Sequence, residues 1–159
     1  MGQDDTKHNL LFISKYPQII HEFTDAMKDR DIEIETAING IEAAAKIKKK
    51  NYDIVITGLS LEGYNGEQII TYLNKTAPST VCIIYTTTIS SAQLHFFINE
   101  RNVFRVFLRP VDFRGAFWEA LEEAYEYHAV QVKNEEDTGA RRQEQEKQKG
   151  KKDNETTDS

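Results

Sequence analysis

The chain has 159 residues, 39% of them hydrophobic, and a formal net charge of −6, which together predict one domain with a well-solvated surface. No apolar run approaches the ~20 residues that a membrane span needs, and the excess of acidic residues argues against a nucleic-acid-binding surface. The first ten residues lack the apolar segment of a secretory signal, and the single cysteine, Cys82, cannot form an internal disulfide, so we expect a cytoplasmic location.

Apolar runs and helical periodicities alternate along the first 130 residues. Residues 10–14 form a short apolar run, which is typical of a strand buried on both faces of a sheet, and Pro17 opens a pattern of helical spacing. Further strands are predicted at residues 32–37, 53–58, 80–85 and 103–108. Further helices are predicted at residues 41–50, 67–75 and 91–101, and from residue 112 to about residue 130. Five strands alternating with five helices predict an α/β fold with a single doubly wound, parallel five-stranded sheet.

Both ends of the chain are predicted to be disordered, which leaves residues 9–130 as the folded domain. Residues 1–8 form a polar extension. Residues 131–159 have Val132 and Ala140 as their only apolar side chains, so this charged tail cannot bury enough surface to offset the entropy of ordering. The tail is either a tether to another segment or a solvated end without a role.

Sheets of this kind place their binding sites at the carboxyl ends of the strands. The residues at that edge are Ser14, Lys15, Thr57, Gly58, Thr86, Thr87, Leu108 and Arg109. No spacing of Cys and His suggests zinc, and neither a G-x-G-x-x-G fingerprint nor a glycine-rich phosphate loop follows the first strand. The sequence therefore predicts no metal and no cofactor.

Two segments carry a resemblance to a known family. The segment DIVITGLSLEGYNGEQI, residues 53–69, resembles the phosphoacceptor strand and loop of response-regulator receiver domains, and VFRVFLRPVDF, residues 103–113, resembles their last strand. The segment INERNVFRVFLRP, residues 98–110, is especially similar to receivers joined to HD-GYP phosphodiesterases. The resemblance covers about residues 10–130 and implies a flavodoxin-like fold and a role in two-component phosphorelay signalling.

The residues that the family uses for phosphorylation are replaced in this sequence. By resemblance, the acidic pair that helps to hold Mg²⁺ falls on Ser14 and Lys15, and the phosphoacceptor aspartate falls on Gly58. The lysine before the last proline is Arg109, and the switch aromatic is Val106. Phosphoryl transfer to a receiver needs a carboxylate nucleophile and a divalent cation with oxygen ligands. We therefore expect a degenerate pocket, a pseudo-receiver without Mg²⁺ and without aspartyl phosphorylation.

The altered pocket leaves two interpretations open. The family's hydroxyl after the fourth strand is kept as Thr86 or Thr87, and these threonines would form a small cationic site with Lys15 and Arg109, suited to an anion or an acidic side chain. Alternatively, Lys15 reaches solvent and Arg109 pairs with Glu62 or with a backbone carbonyl, because surface charges rarely imply ligands.

The resemblance also implies a protein-binding face formed by the fourth helix, the fifth strand and the fifth helix. The residues predicted to mark that interface are Phe96, Phe104 and Trp118. The apolar stripe predicted to turn the fourth helix towards the core is Leu94, Phe97 and Ile98. Strand alternation predicts that Phe104 and Val106 share one face of the fifth strand and that Phe107 lies on the other.

These observations favour a receiver-like signalling domain that is not an enzyme and acts through a protein partner or a homodimer. Two alternatives remain: a flavodoxin-like domain that binds a small molecule or an anion, and a receiver that is phosphorylated at a non-standard residue. Fold alone does not decide among them.

Overall fold

The structure is a computed structural model that describes residues 8–99 and 103–157, with side chains described as far as residue 137. The five strands are β1 (His8–Ile13), β2 (Ile32–Ala37), β3 (Ile54–Thr57), β4 (Val81–Thr86) and β5 (Val103–Leu108). The five helices are α1 (Pro17–Met27), α2 (Gly40–Lys49), α3 (Gly66–Thr76), α4 (Ser91–Ile98) and α5 (Ala116–Thr157). Of the predicted N-terminal extension, residues 1–7 lie outside the described residues, and the eighth already begins β1.

All five strands are parallel and form one sheet in the order β2-β1-β3-β4-β5. The predicted α/β fold is therefore confirmed. The strand order reverses between β1 and β3, so the connections that leave these two strands diverge at the carboxyl edge of the sheet. This reversal creates the crevice in which open α/β sheets bind their ligands.

Helices cover both faces of the sheet, which explains why the central strands are apolar throughout. Leu10 and Phe12 of β1 pack into a core layer with α1 and α5, whereas Leu11 and Ile13 pack into the layer with α2 and α3. In the first layer, the stacked rings of Phe12 and Phe23 have centroids 4.2 Å apart. Alternate residues of one strand thus hold both layers against the sheet.

Side-chain caps mark where three helices begin. The Asn39 side chain accepts a hydrogen bond from the Glu42 N–H at the start of α2. Reciprocal capping boxes begin α3 and α4, each formed by a polar N-cap residue and a glutamine three positions later. The α2 and α3 caps close the loops that surround the carboxyl edge of the sheet.

A bulge in β5 overturns one prediction. The β4–β5 register shifts between Cys82 and Ile83, which leaves Phe104 as an extra residue on β5. Phe104 and Phe107 consequently pack against the same core layer, while Val106 packs against the opposite one. The prediction that Phe104 and Val106 share a face was wrong, because the extra residue interrupts the two-residue alternation.

Only one residue of the predicted α4 stripe faces the core. Phe97 is buried, but Leu94 is 41% exposed and Ile98 is 72% exposed. The helix has only about two turns and ends at Ile98, earlier than predicted, and the next residue after Phe97 is rotated by about 100° around the axis. Ile98 therefore points away from the core.

The fifth helix is longer than the sequence predicted. It was expected to end at about residue 130 and to be followed by disorder over residues 131–159, whereas α5 continues to Thr157. The segment contains no proline and is rich in Glu, Gln, Lys and Arg, which have high helix propensity. The chain divides into two compact units, Met1–His128 with the sheet and Ala129–Ser159 with the rest of α5. Among the described residues, no helix is both long and apolar enough to cross a bilayer.

Candidate functional site

An open pocket of about 220 Å³ lies at the carboxyl edge of the sheet, beside the strand reversal. Its walls come from the residues that follow β1, β3, β4 and β5. The structure brings all of the residues of the predicted pocket around this one cavity: Ser14, Lys15, Gly58, Thr86, Thr87 and Arg109. The parallel strands account for this convergence, because their carboxyl ends meet at one edge.

Ser14 is buried in the pocket, with 7% of its surface exposed. Its N–H donates to the carbonyl of Ala37 at 3.1 Å, which continues the ladder beyond β1. Its Oγ accepts a hydrogen bond from the N–H of Tyr16 at 3.2 Å. The side chain thereby turns the chain from β1 into α1 and stays at the floor of the cavity.

Gly58 occupies the end of β3 without any steric need for glycine. Its N–H donates to the carbonyl of Ile13 at 3.1 Å. A Cβ built at Gly58 would lie 3.7 Å from the carbonyl oxygen of Tyr85, which is ordinary contact. Packing therefore does not require a glycine at this position.

The two cations of the pocket both reach hydroxyl groups. Lys15 Nζ lies 3.4 Å from Ser60 Oγ, and Arg109 Nη1 lies 3.4 Å from Thr87 Oγ1. The guanidinium carbon of Arg109 also lies 4.8 Å from the centroid of the Tyr16 ring, a cation–π distance. Lys15 is exposed, whereas Arg109 is half-buried against the ring.

The interpretation in which Arg109 pairs with Glu62 is not what the structure shows. Within the described part of the chain, no ion pair is formed by Arg109, and its partners are Thr87 and aromatic rings. Glu62 is exposed and its carbonyl accepts the N–H of Gly40, which fixes the β3–α3 loop beside α2. The charge of Arg109 is therefore available to the pocket.

Thr86 ends β4 and holds its turn. Its hydroxyl donates to the carbonyl of Thr88 at 3.1 Å, and its own carbonyl accepts the N–H of Arg109 at 2.8 Å. The Thr86 hydroxyl is thus occupied by local structure, while that of Thr87 faces the guanidinium.

Six lining residues were not selected as site residues from the sequence: Tyr16, Leu59, Ser60, Leu61, Tyr85 and Thr88. Tyr16 directly follows the predicted Lys15, and Tyr85 is the penultimate residue of β4. Their positions in the sequence, next to predicted pocket residues, could therefore have indicated that they line the pocket. Burial raises the pKa of the Tyr85 phenol, although the charge of Arg109 opposes this shift. The phenol stays protonated and neutral near pH 7.

The donor set of the pocket does not fit a magnesium ion. None of the described lining residues is an aspartate or glutamate, and no group of three His, Cys, Asp or Glu side chains with metal-binding geometry occurs in the described residues. Mg²⁺ prefers oxygen ligands that include carboxylates. The ammonium of Lys15 adds like charge to the place where a cation would bind.

A family model of the response regulator receiver domain matches residues 11–115. The chain belongs to the response regulator receiver domain family. The resemblance predicted from the two sequence segments is thereby confirmed at the level of family and fold. Ser14, Lys15 and Gly58 lie within the matched residues.

Solved receiver structures share this fold at low sequence identity. The signal receiver domain of an HD domain-containing protein from Pseudomonas fluorescens Pf-5 is 19% identical with a TM-score of 0.73, and the match covers 78% of this chain and 98% of that one. The CheY-like receiver domain protein from Methanospirillum hungatei JF-1 is 18% identical with a TM-score of 0.71, covering 79% and 99%. A search of curated proteins finds no match. The link of this receiver to an HD-GYP domain stays a prediction.

The response regulator TrrA from Thermotoga maritima, solved in complex with Mg²⁺–BeF, is a third neighbour of the receiver. It is 21% identical with a TM-score of 0.63, and the match covers 74% of this chain and 98% of that one. At such identities the likeness establishes the fold alone.

The predicted interface residues of the receiver differ in exposure. Phe96 on α4 is 36% exposed, whereas Phe104 and Trp118 are half-buried and pack against the α1–α5 core layer. The Arg30 guanidinium lies 4.2 Å from the ring centroid of Trp118, and Arg105 lies 4.5 Å from that of Phe104, so cations cover both rings. The exposed large apolar side chains of α4 and β5 are Leu94, Phe96, Ile98 and Leu108.

Proposed function

We propose that this receiver domain acts in two-component signalling through protein–protein contact and is not phosphorylated on aspartate. The observation that carries the proposal is Gly58 at the end of β3, where the family has its phosphoacceptor, in a pocket whose described lining has no carboxylate. A glycine offers no nucleophile, so the acyl phosphate that activates a working receiver has no atom on which to form.

The residues beside Gly58 support the same proposal. A transferring phosphoryl group carries charge that receivers neutralise with a divalent cation. The Thermotoga TrrA receiver is described in complex with Mg²⁺–BeF. In this chain, Ser14 is a neutral hydroxyl already engaged with the Tyr16 N–H, and Lys15 is itself a cation. Neither replaces a metal-binding carboxylate.

The exposed side chains of α4 support a contact surface as the output. Leu94, Phe96 and Ile98 are exposed on a helix of only eight residues, of which Phe97 alone is buried. Contiguous exposed apolar and aromatic side chains are typical of protein interaction sites. The proposed occupant is a protein partner or a second copy of the receiver, bound through the α4-β5-α5 face.

Intact mass spectrometry tests whether the receiver is phosphorylated. The purified chain is incubated with Mg²⁺ and acetyl phosphate beside a receiver that has its aspartate. We expect the comparison receiver alone to gain the mass of a phosphoryl group. An adduct on this chain would overturn the proposal, and mapping it would identify a non-standard acceptor.

Substitution of Phe96 tests whether the receiver self-associates through the α4-β5-α5 face. Sedimentation of the wild-type chain and of Phe96→Asp over a range of concentrations measures self-association. Phe107→Asp is not a usable control, because the Phe107 ring packs 4.8 Å from that of Phe117 in the core. The matched control is Tyr64→Asp, another exposed aromatic, which lies in the loop before α3 and outside the α4-β5-α5 face. Association that both variants retain would contradict a homodimer through this face.

A further inference from the structure

We propose that the pocket at the carboxyl edge binds a small tetrahedral oxoanion, with inorganic phosphate as its simplest example. The inference rests on the proposed function in one respect, since it requires that no covalent phosphate occupies the pocket. It assigns to this pocket a freely exchanging ligand in place of a phosphorylated side chain.

The charge of the pocket is the first argument. Neither Lys15 nor Arg109 has a carboxylate within ion-pair distance in the described residues. Lys15 Nζ is 5.3 Å and Arg109 Cζ is 4.8 Å from the centroid of the same Tyr16 ring, so the two cations are at most about 10 Å apart. Two unneutralised cations at one small cavity favour an anion between or beside them.

The hydroxyl groups are the second argument. Ser14 accepts from the Tyr16 N–H, Ser60 from Lys15, and Thr87 from Arg109. Each hydroxyl oxygen is engaged as an acceptor, which leaves its proton free to donate. Ser14 is 7% exposed, and within the described chain its proton has no acceptor. The pocket therefore presents donors and positive charge, the complement of an oxoanion.

The preorganisation of Arg109 is the third argument. Its backbone N–H is fixed by the Thr86 carbonyl, and its guanidinium lies over Tyr16 with Tyr85 at 5.9 Å. A planar guanidinium held on aromatic rings still presents its outer N–H groups in a fork that suits two oxygens of one anion. An exposed lysine alone would contribute little to the affinity for an anion. The fixed guanidinium of Arg109 is therefore the feature that makes this pocket an anion site.

The size of the cavity limits the ligand. Pockets for drug-sized molecules occupy roughly 300–1,000 Å³, whereas this cavity measures about 220 Å³. A phosphate-sized ion fits, and a nucleotide would extend beyond the walls. The inference therefore commits to a small oxoanion.

Titration of the ¹⁵N-labelled 159-residue chain with inorganic phosphate, at constant ionic strength, tests the inference by NMR. We expect saturable shifts centred on the amides of Gly58, Ser60 and Thr87. Lys15→Gln and Arg109→Gln should each weaken binding by about tenfold, which corresponds to about 1.4 kcal/mol. Lys48→Gln is the matched control, an exposed lysine in a different cavity, and should change the dissociation constant less than twofold.

The outcomes separate this inference from the proposed function. Shifts that fail to saturate, or equal binding by all four proteins, would overturn the anion site while leaving the absence of aspartyl phosphorylation intact. A covalent adduct in the acetyl phosphate experiment would overturn the proposed function instead. Thermal unfolding establishes that the variants fold. Because Lys15 is exposed, the affinity of Lys15→Gln for phosphate tests the inference even if Arg109→Gln is destabilised.

Discussion

The carboxylate of Asp53 lies 3.1 Å from Nε2 of His128, at the end of the sheet opposite the pocket. The other ring nitrogen of His128 lies 2.8 Å from the carbonyl oxygen of Ser79, and the second carboxylate oxygen of Asp53 accepts the N–H of Asn9 at 3.2 Å. The contacts tie the starts of β1 and β3 to α5. Burial alone would raise the pKa of Asp53, but hydrogen bonds from His128 and Asn9 outweigh burial and lower the pKa.

The lowered pKa of Asp53 predicts a pH-dependent contribution to stability. A carboxyl group that ionises more readily when folded stabilises the fold above its unfolded pKa, near 3.8, and this contribution disappears as pH falls through the lower folded pKa. We expect Asp53→Asn to lower the free energy of unfolding by about 1–2 kcal/mol at pH 7. Urea unfolding of both proteins at pH 7 and below pH 4 measures the difference, which should shrink in acid.

Asp29→Asn is the matched control for this experiment, because Asp29 is exposed and outside the cluster. A difference between Asp53→Asn and wild type that stays constant down to the lowest pH would contradict the assignment. It would mean that the substitution acts through packing and not through the charge.

Carboxylates can be introduced into the pocket by substitution, because Gly58 has room for a Cβ. We expect the triple variant Ser14→Asp, Lys15→Asp, Gly58→Asp to be destabilised without metal, since three carboxylates in one pocket repel one another. Mg²⁺ should raise its melting temperature, because a ligand that binds the folded state stabilises it, and acetyl phosphate should then add one phosphoryl group.

The single variant Gly58→Asp is the control for this conversion. It supplies a nucleophile but no metal-binding pair, so we expect neither Mg²⁺ stabilisation nor an adduct by intact mass. Efficient phosphorylation of the single variant would show that Ser14 and Lys15 do not prevent metal-dependent transfer.

Substitution of a core aromatic residue should lower the free energy of unfolding far more than substitution of a surface one. Phe117 is fully buried, and its ring centroid lies 5.1 Å from that of Phe113 and 5.9 Å from that of Tyr85. We expect Phe117→Ala to lower the free energy of unfolding by about 3–5 kcal/mol, because it leaves a cavity. Phe96→Ala should cost about 0.5 kcal/mol, since that ring is already exposed. Guanidinium unfolding compares the two, and similar losses would contradict the placement of Phe96 on the surface.

Substitution by alanine should affect stability differently at two glycines beside the pocket. A Cβ at Gly66 would lie 2.3 Å from the Gly58 carbonyl oxygen, whereas a Cβ at Gly58 meets nothing closer than 3.7 Å. We expect Gly66→Ala to destabilise by about 1–3 kcal/mol through overpacking, and Gly58→Ala to change stability by less than about 1 kcal/mol. Thermal unfolding checks both. Tolerance of Gly66→Ala would show that the loop after β3 moves away at little cost.

Local patterns were sufficient to predict the five strands and to place the predicted pocket residues at one edge of the sheet. The apolar run of β1 and the β-branched run of β4 predicted buried strands, because a parallel sheet covered on both faces needs apolar residues at every position. The residues after each strand predicted a shared site, since parallel strands end at one edge. The position of Gly58 directly after the third strand was likewise visible in the sequence, and its place at the family's phosphoacceptor position stays a prediction from the resemblance.

Other features depended on contacts between distant parts of the chain. The bulge at Phe104 reflects how β5 pairs with β4, which no period within β5 encodes. The exposure of Ile98 follows from where α4 ends, and the orientation of Arg109 over Tyr16 joins residues from opposite ends of the domain.

By itself, the sequence determined the order of strands and helices along the chain, the family resemblance, and which residues follow each strand at the pocket, because each depends on residue type and spacing along the chain. Only the tertiary structure decided which aromatic rings are buried, which hydroxyl each cation meets, and that Asp53 faces His128. Those relationships arise when strands pair and helices pack, and pairing and packing bring together residues that no local pattern connects.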